Sequence, residues 1–463
     1  MGANLLEKTS LEQAKLIVRR EISCEELTRL YLERIERHNP RIQAFVDFFP
    51  DKAMAEARHK DLAVKAGEPL PPFHGVPIGI KDLHLVKGMR TRFGSRAWLP
   101  SFPSPIDDAT VAPLRRAGFV ILGKLATSEL GAIPITEPDI RPPTRNPWNS
   151  EHTPGGSSGG SGAAVAGGLL PIAEGTDGGG SIRIPASFNG LVGLKPARGR
   201  LINQFKMADR QIIYTSGVLT RTVDETAELL DIMAGITSGK PHWATPPSES
   251  FARLAKKKPG RQRIRMTLES PIVKVDAEVR AAVAAVAKTL AGMGHEIIET
   301  AYPDVTVHEF LPLWQFMIAN TPLMRWSKAQ PITRWLREGG RALKADYIHA
   351  LHRQLETRLL AWAGSTDLWL TPTVGMLPPR VGAYSQSGDP ETVFHDVAQI
   401  GAFTASANVT GQPAISIPAA VSKSGLPIGV QLTGPVQSEA VLLQVAKQLE
   451  EALAWRHSSS LLT

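Results

Sequence analysis

One cysteine, Cys24, stands among 463 residues, so no disulfide can close within the chain and no cysteine-built zinc site is available. That usage fits a reducing compartment, and a cytoplasmic location is the expectation. No stretch approaches eighteen consecutive apolar residues and the N-terminus lacks an apolar signal core, which argues against a membrane span or a cleaved leader. The twelve histidines show no His-Glu-x-x-His or comparable ligand spacing, so no metal is expected and no cofactor is implied. Charge of one sign is also not concentrated. The formal net charge is +8, but basic residues are scattered among acids, and the one dense run, Lys256 to Arg265, reads as a solvated loop. A nucleic-acid partner is therefore not expected.

What the chain has instead is glycine, gathered between Pro154 and Pro196. More than ten glycines with serines set among them crowd into about forty residues, interrupted by the apolar run Ala163 to Ala173. That run fits a buried helix followed by a short strand, which a linker would not contain. Glycine at this density lets backbone N–H groups approach a ligand closely. A phosphate cradle fails on detail, because no Gly-Lys-Ser/Thr follows the glycines. A nucleophile elbow matches Gly155-Gly-Ser-Ser-Gly159 in letters, yet the approach, Asn149 to Pro154, is loop chemistry rather than a strand.

Taken together, Gly155-Gly-Ser-Ser-Gly-Gly160 and Asp177-Gly-Gly-Gly-Ser-Ile-Arg183 resemble the amidase signature family of serine hydrolases. The resemblance continues in Gly75-Val-Pro-Ile-Gly-Ile-Lys81-Asp82, in Gly217 to Asp224, in Asp367 to Thr373, in Asn408-Val-Thr-Gly-Gln-Pro413 and in Gly425 to Gly434. It covers nearly the whole chain and is weakest over 305–365. It implies a Ser–cis-Ser–Lys triad with Ser181 as nucleophile, Ser157 as bridging serine and Lys81 as base. It further implies backbone N–H donors for an oxyanion at Gly178, Gly179, Gly180 and Ser181, with Ser158, Asp177 and Arg183 in support. The family usually carries a larger residue where Gly178 stands, so this glycine either widens the acyl side or loosens the loop. His74, Lys124 and Lys195 read as structural. The function implied is hydrolysis of an amide, anilide or carbamate of a small molecule. A second branch, the amidase subunit of the glutamine-dependent tRNA amidotransferase, holds glutamine with an aspartate seven residues before the motif asparagine; here that position is Gly401.

The fold expected is one α/β domain over 1–463, a central mixed sheet with helices on both faces. Residues 10–65 read as helices opened by capping boxes at Ser10 and at Ser23–Glu26. Val76–Ile80, Phe119–Lys124, Arg263–Glu269 and His295–Glu299 read as strands, and Ala109–Ala117, Glu225–Ala234, Ala277–Gly292 and Glu439–Ala452 as helices. Residues 236–262 read as a break, and 236–350 as a variable helical flap. Trp314, Trp326, Trp335, Trp362 and Trp369 are expected to pack helices; the alternative reading is that some of them line an apolar substrate pocket.

Overall fold

A computed structural model of the protein describes residues 2–201, 213–235, 244–364, 366–384 and 388–455, with no side chains described for 2–4. Part of the anticipated break, 236–243, lies outside the described residues.

The strands are β1 (Phe45–Phe48), β2 (Pro77–Lys81), β3 (Val120–Leu125), β4 (Ala173–Asp177), β5 (Val192–Lys195), β6 (Thr215–Thr220), β7 (Arg263–Met266), β8 (Glu296–Glu299), β9 (Leu368–Pro372), β10 (Ala414–Val421) and β11 (Pro427–Thr433). They form one mixed sheet in the order β1-β3-β2-β4-β6-β5-β10-β11-β9-β7-β8. β2 runs parallel to both β3 and β4, while β4 and β6 are antiparallel. Both faces are covered, and β3 shows why. Val120 and Leu122 enter a cluster with Leu27, Tyr31 and Ala163, whereas Ile121 enters another with Leu230, Val283 and Leu442. Alternate side chains of a strand point to opposite faces, so an almost unbroken apolar strand needs helices on each side. Those helices are Cys24–Ile42, Pro50–Ala66 and Gly159–Ala166 on one face, and Val223–Ala234, Ala277–Gly292 and Glu439–Leu453 on the other.

Four local expectations shift. The first capping box belongs to Thr9 with Glu12, one residue before Ser10; the Ser10 hydroxyl instead donates to Glu225. Residues 10–65 are not all helix, because β1 interrupts them and pairs with β3. The buried helix starts at Gly159, four residues before Ala163, because small residues let it pack against Ala126 and Thr136. Finally, 236–350 is not a single flap. Its β7 and β8 extend the sheet beyond β9, and the helices Val307–Ala319, Pro331–Arg341 and Ala345–Ala363 form a separate apolar cluster near the glycine loop.

Cys24 is fully buried, with its thiol pushed up by burial and the Asp61 carboxylate, so it packs rather than reacts.

Candidate active site

Strand ends and the glycine loop bring the predicted residues together. Lys81 is the last residue of β2, and its side chain is wholly buried. Its Nζ lies 2.7 Å from Ser157 Oγ, 2.8 Å from Ser158 Oγ and 2.8 Å from Thr176 Oγ1. The partners come from positions 76 to 95 residues away, so only the sheet assembles them: β4, carrying Thr176, is the neighbour of β2. Burial lowers the Lys81 ammonium from 10.5 to about 7, against the opposing pull of Glu174 and Asp177. Three hydroxyls surround the amine, and among the described residues no carboxylate hydrogen-bonds to it.

Ser157 follows a cis peptide bond from Gly156. Gly156 has no room for a side chain: a Cβ there would meet the Ile135 backbone at 2.6 Å. The Thr136 hydroxyl donates to the Gly155 carbonyl at 2.9 Å and helps to hold this turn. Ser158 is committed at both ends, donating its hydroxyl to the Thr176 carbonyl and accepting from the Thr176 N–H, each at 3.2 Å.

Asp177 ends β4 and clamps the loop that follows. Its carboxylate takes the Arg183 guanidinium at 2.8 and 3.0 Å, the Gly180 N–H at 2.8 Å, the Ile182 N–H at 3.2 Å and the Asn408 amide at 2.9 Å. Burial alone would raise this acid, but Arg183, then Lys195 and Asn408, hold it down at about 2. Arg183 is fully buried and also donates to Thr404 O, Gln431 Oε1 and Asn408 Oδ1. One expectation falls here. The Gly180 amide is spent on Asp177, so it is not free to meet an oxyanion. Among the described residues, none accepts from the N–H groups of Gly178, Gly179 or Ser181.

Ser181 is tied to Lys81's shell through its backbone and not through its hydroxyl. Its carbonyl accepts from the Ser158 N–H at 3.3 Å, while its hydroxyl makes no hydrogen bond among the described residues. It faces a cavity of about 880 Å³, counting the open mouth. The walls are apolar, with Ile133, Ile184, Phe310, Trp314, Phe394 and Val397 prominent, and Gly401 among them. Among the described residues the one carboxylate in the lining, Glu309, is tied to Thr306 and to Arg358 at 2.7 Å. Of the five tryptophans between 314 and 369, only Trp314 lines this cavity. Trp362 packs on Trp369, and Trp326 lies under Arg337. Gly178 does not widen the cavity: a Cβ there would sit 3.0 Å from Trp314, so the indole fills the space a larger residue would take.

The other tempting groups are structural in place. His74 Nε2 lies 3.0 Å from the Lys60 carbonyl. Lys124 meets His84 O, Thr91 Oγ1 and Asp82, and Lys195 Nζ donates to Pro196 O. Sequence reasoning missed Thr176 as the third hydroxyl on Lys81; its place directly before Asp177, at the entry to the glycine loop, was the available signal. Among the described residues, no group of three or more His, Cys, Asp or Glu could hold a metal ion, and no helix is long and apolar enough to cross a membrane.

The chain is similar to known proteins along nearly its whole length. The profile of the family described as Amidase matches residues 26–443. A putative amidase of Synechocystis sp. is 36% identical over 457 residues, covering 96% of this chain and 88% of that protein. The 6-aminohexanoate-cyclic-dimer hydrolase of Pseudomonas sp. is 35% identical over 485 residues, covering 96% and 94%. A solved structure of 6-aminohexanoate cyclic dimer hydrolase complexed with substrate superposes with a TM-score of 0.89 at 32% identity, covering 99% of this chain and 100% of that one. The chain therefore belongs to the amidase signature family, and it is an amidase, a hydrolase of amide carbon–nitrogen bonds.

Proposed function

We propose that the chain cleaves uncharged, apolar small-molecule amides, with anilides and carbamates included, through an acyl-enzyme on Ser181. The observation that carries this reading is the buried Lys81 amine held among three hydroxyls beside an apolar cavity that Ser181 faces.

Hydrogen-bond accounting supports a direction of proton flow. Ser158 gives its own proton to Thr176 O, so toward Lys81 it accepts. A neutral amine has two N–H donors and one lone pair. In the proposed scheme the donors go to Ser158 Oγ and Thr176 Oγ1, which leaves the lone pair for Ser157, the arrangement a base needs. Ser157 passes its proton to Lys81 and takes one from Ser181 as Ser181 Oγ bonds to the carbonyl carbon. The proton returns by the same route to the leaving nitrogen as the carbon–nitrogen bond breaks. Water then attacks the ester and restores Ser181. The developing oxyanion takes the N–H groups of Gly178, Gly179 and Ser181, a kind of contact worth about 3 kcal/mol per donor in acyl-transfer enzymes. Catalytic hydrogen bonds commonly tighten with substrate in place, as the Ser157–Ser181 step requires.

The apolar walls favour alkyl or aryl groups. A free α-ammonium and carboxylate, as in glutamine, would lose hydration with no counter-charge at Gly401 and with Glu309 already paired. The test is a panel of p-nitroacetanilide, a p-nitrophenyl carbamate, a primary aliphatic amide and glutamine, turned over by wild type and Ser181→Ala. Turnover of the apolar members, lost in the variant, is expected. Turnover that survives Ser181→Ala, or glutamine as the only substrate, would overturn the proposal.

A further inference from the structure

Joined to Lys81 through its backbone N–H lies a second buried set of charges that the acyl-transfer scheme does not use. His84 sits between two carboxylates: its Nδ1 is 2.6 Å from Asp108 Oδ2 and its Nε2 is 3.2 Å from Glu174 Oε1. The other Glu174 oxygen accepts the backbone N–H of Lys81 at 3.0 Å. All three side chains are 3% exposed or less. The chain of contacts therefore runs Asp108–His84–Glu174, its second step an ion-pair contact rather than a hydrogen bond, and ends on the peptide that carries the lysine. Asp108 is anchored in turn by the N–H groups of Leu85, Thr110 and Val111.

We propose that His84 and Glu174 are a positioning pair for Lys81: Glu174 fixes the end of β2 through the Lys81 N–H, and the His84 imidazolium screens Lys81 from the Glu174 charge, so that together they set the pH range in which the amine works as a base. This inference rests on Lys81 being the base of the proposed reaction.

The physical argument starts from a conflict. A carboxylate within a few ångströms of a buried lysine favours the ammonium form, which is the wrong form for a base. Glu174 is nevertheless the residue that secures Lys81's strand end. A positive charge on the far oxygen of Glu174 resolves the conflict. Burial opposes a charged His84, but Asp108 and then Glu174 outweigh it and hold the imidazole well above its ordinary value. The groups around the pair are few. Lys81 is faced by Glu174 and Asp177 from β4. His84 is faced by Asp108, Glu174 and the Tyr214 hydroxyl, 3.3 Å from Nε2, with Lys124 Nζ on its carbonyl. Lys124 is itself paired with Asp82, and Asp177 with Arg183, so their charges are met elsewhere.

The experiment measures kcat/KM against pH with p-nitroacetanilide for wild type, His84→Gln, Glu174→Gln and the double variant, with thermal unfolding as a control. None of these side chains lines the cavity, so KM should hold while kcat moves. In His84→Gln the unscreened Glu174 should move the acid limb of the profile up by about one pH unit. In Glu174→Gln the limb should move down by a similar amount, and in the double variant it should return near the wild-type position. A limb unmoved in a folded His84→Gln or Glu174→Gln overturns the proposal, as does the same direction of shift in both. If His84→Gln does not fold, Glu174→Gln decides alone: a downward shift supports the pair and an unmoved limb overturns it. Ser181→Ala separates the two levels of argument. Activity surviving there fails the acyl-enzyme reading, whereas a dead Ser181→Ala with unmoved limbs fails only the positioning pair.

Discussion

The sharpest consequence of the Lys81 environment is a pH profile centred far from where lysine ordinarily titrates. Fully buried among hydroxyls, the amine is lowered to about 7. At that value roughly nine-tenths of the enzyme carries a neutral lysine at pH 8, about half at pH 7 and roughly one-tenth at pH 6. The kcat/KM for p-nitroacetanilide should therefore be about tenfold lower at pH 6 than at pH 8, and nearly flat above pH 8. The same burial has a stability signature. Between about 7 and 10.5 the unfolded chain binds a proton at Lys81 that the folded chain does not. Stability must then rise with pH across that window, by up to about 1.4 kcal/mol per unit from this group. Lys195, lowered to about 7 by burial and then Arg183, adds a second increment of the same sign. The assays are nitroaniline release from about pH 5 to about pH 10, and urea unfolding at about pH 7.5 and about pH 9 for wild type and Lys81→Met. Lys81→Met should be inactive and should lose roughly half of the rise contributed by the two lysines. A rate that keeps climbing about tenfold per unit from pH 8 to pH 10 would mean an ordinary lysine, and would refute the burial argument.

Two further outcomes follow from the loop and the cavity. Arg183→Met should destabilise the protein by about 3–5 kcal/mol, read as a lower urea midpoint, because it strands the buried Asp177 carboxylate that holds Gly180 and Ile182. Gly178→Val should depress kcat/KM by forcing Trp314 away from the loop, and Trp314→Ala should restore activity in the double variant while shifting preference toward bulkier acyl groups; additive losses would show that the indole and residue 178 do not share the space.

The site was legible in the sequence where its residue types are tied to short local patterns. Lys81, Ser157 and Ser181 could be named because the motifs around them resemble those of the amidase signature family; on the residues alone, a lysine at a strand end reads as an ion-pair partner or a side chain reaching solvent. Thr176 could not, because its role depends on β4 lying beside β2, a pairing that links positions 95 apart. The Asp108–His84–Glu174 ladder was hidden for the same reason: three residues from two loops and a strand meet only in the folded chain. The Gly180 amide was misassigned because sequence alone does not say which N–H groups the Asp177 carboxylate will claim. In the fold, the long helices and apolar strands lay close to where their periodicity put them. β1 was missed as a strand because four residues between two helices carry too little pattern, and β7 and β8 were grouped with a flap because their place at the sheet's far edge is topological.

The central claim is a covalent intermediate on Ser181. The most direct measurement is mass spectrometry of enzyme quenched during turnover of a p-nitrophenyl carbamate, followed by proteolysis to locate the adduct. The account predicts one carbamoyl group on the peptide containing Ser181, no adduct in Ser181→Ala, and slowed formation in Lys81→Met. An adduct on Ser157 alone, or steady turnover with no adduct and full activity in Ser181→Ala, would contradict it.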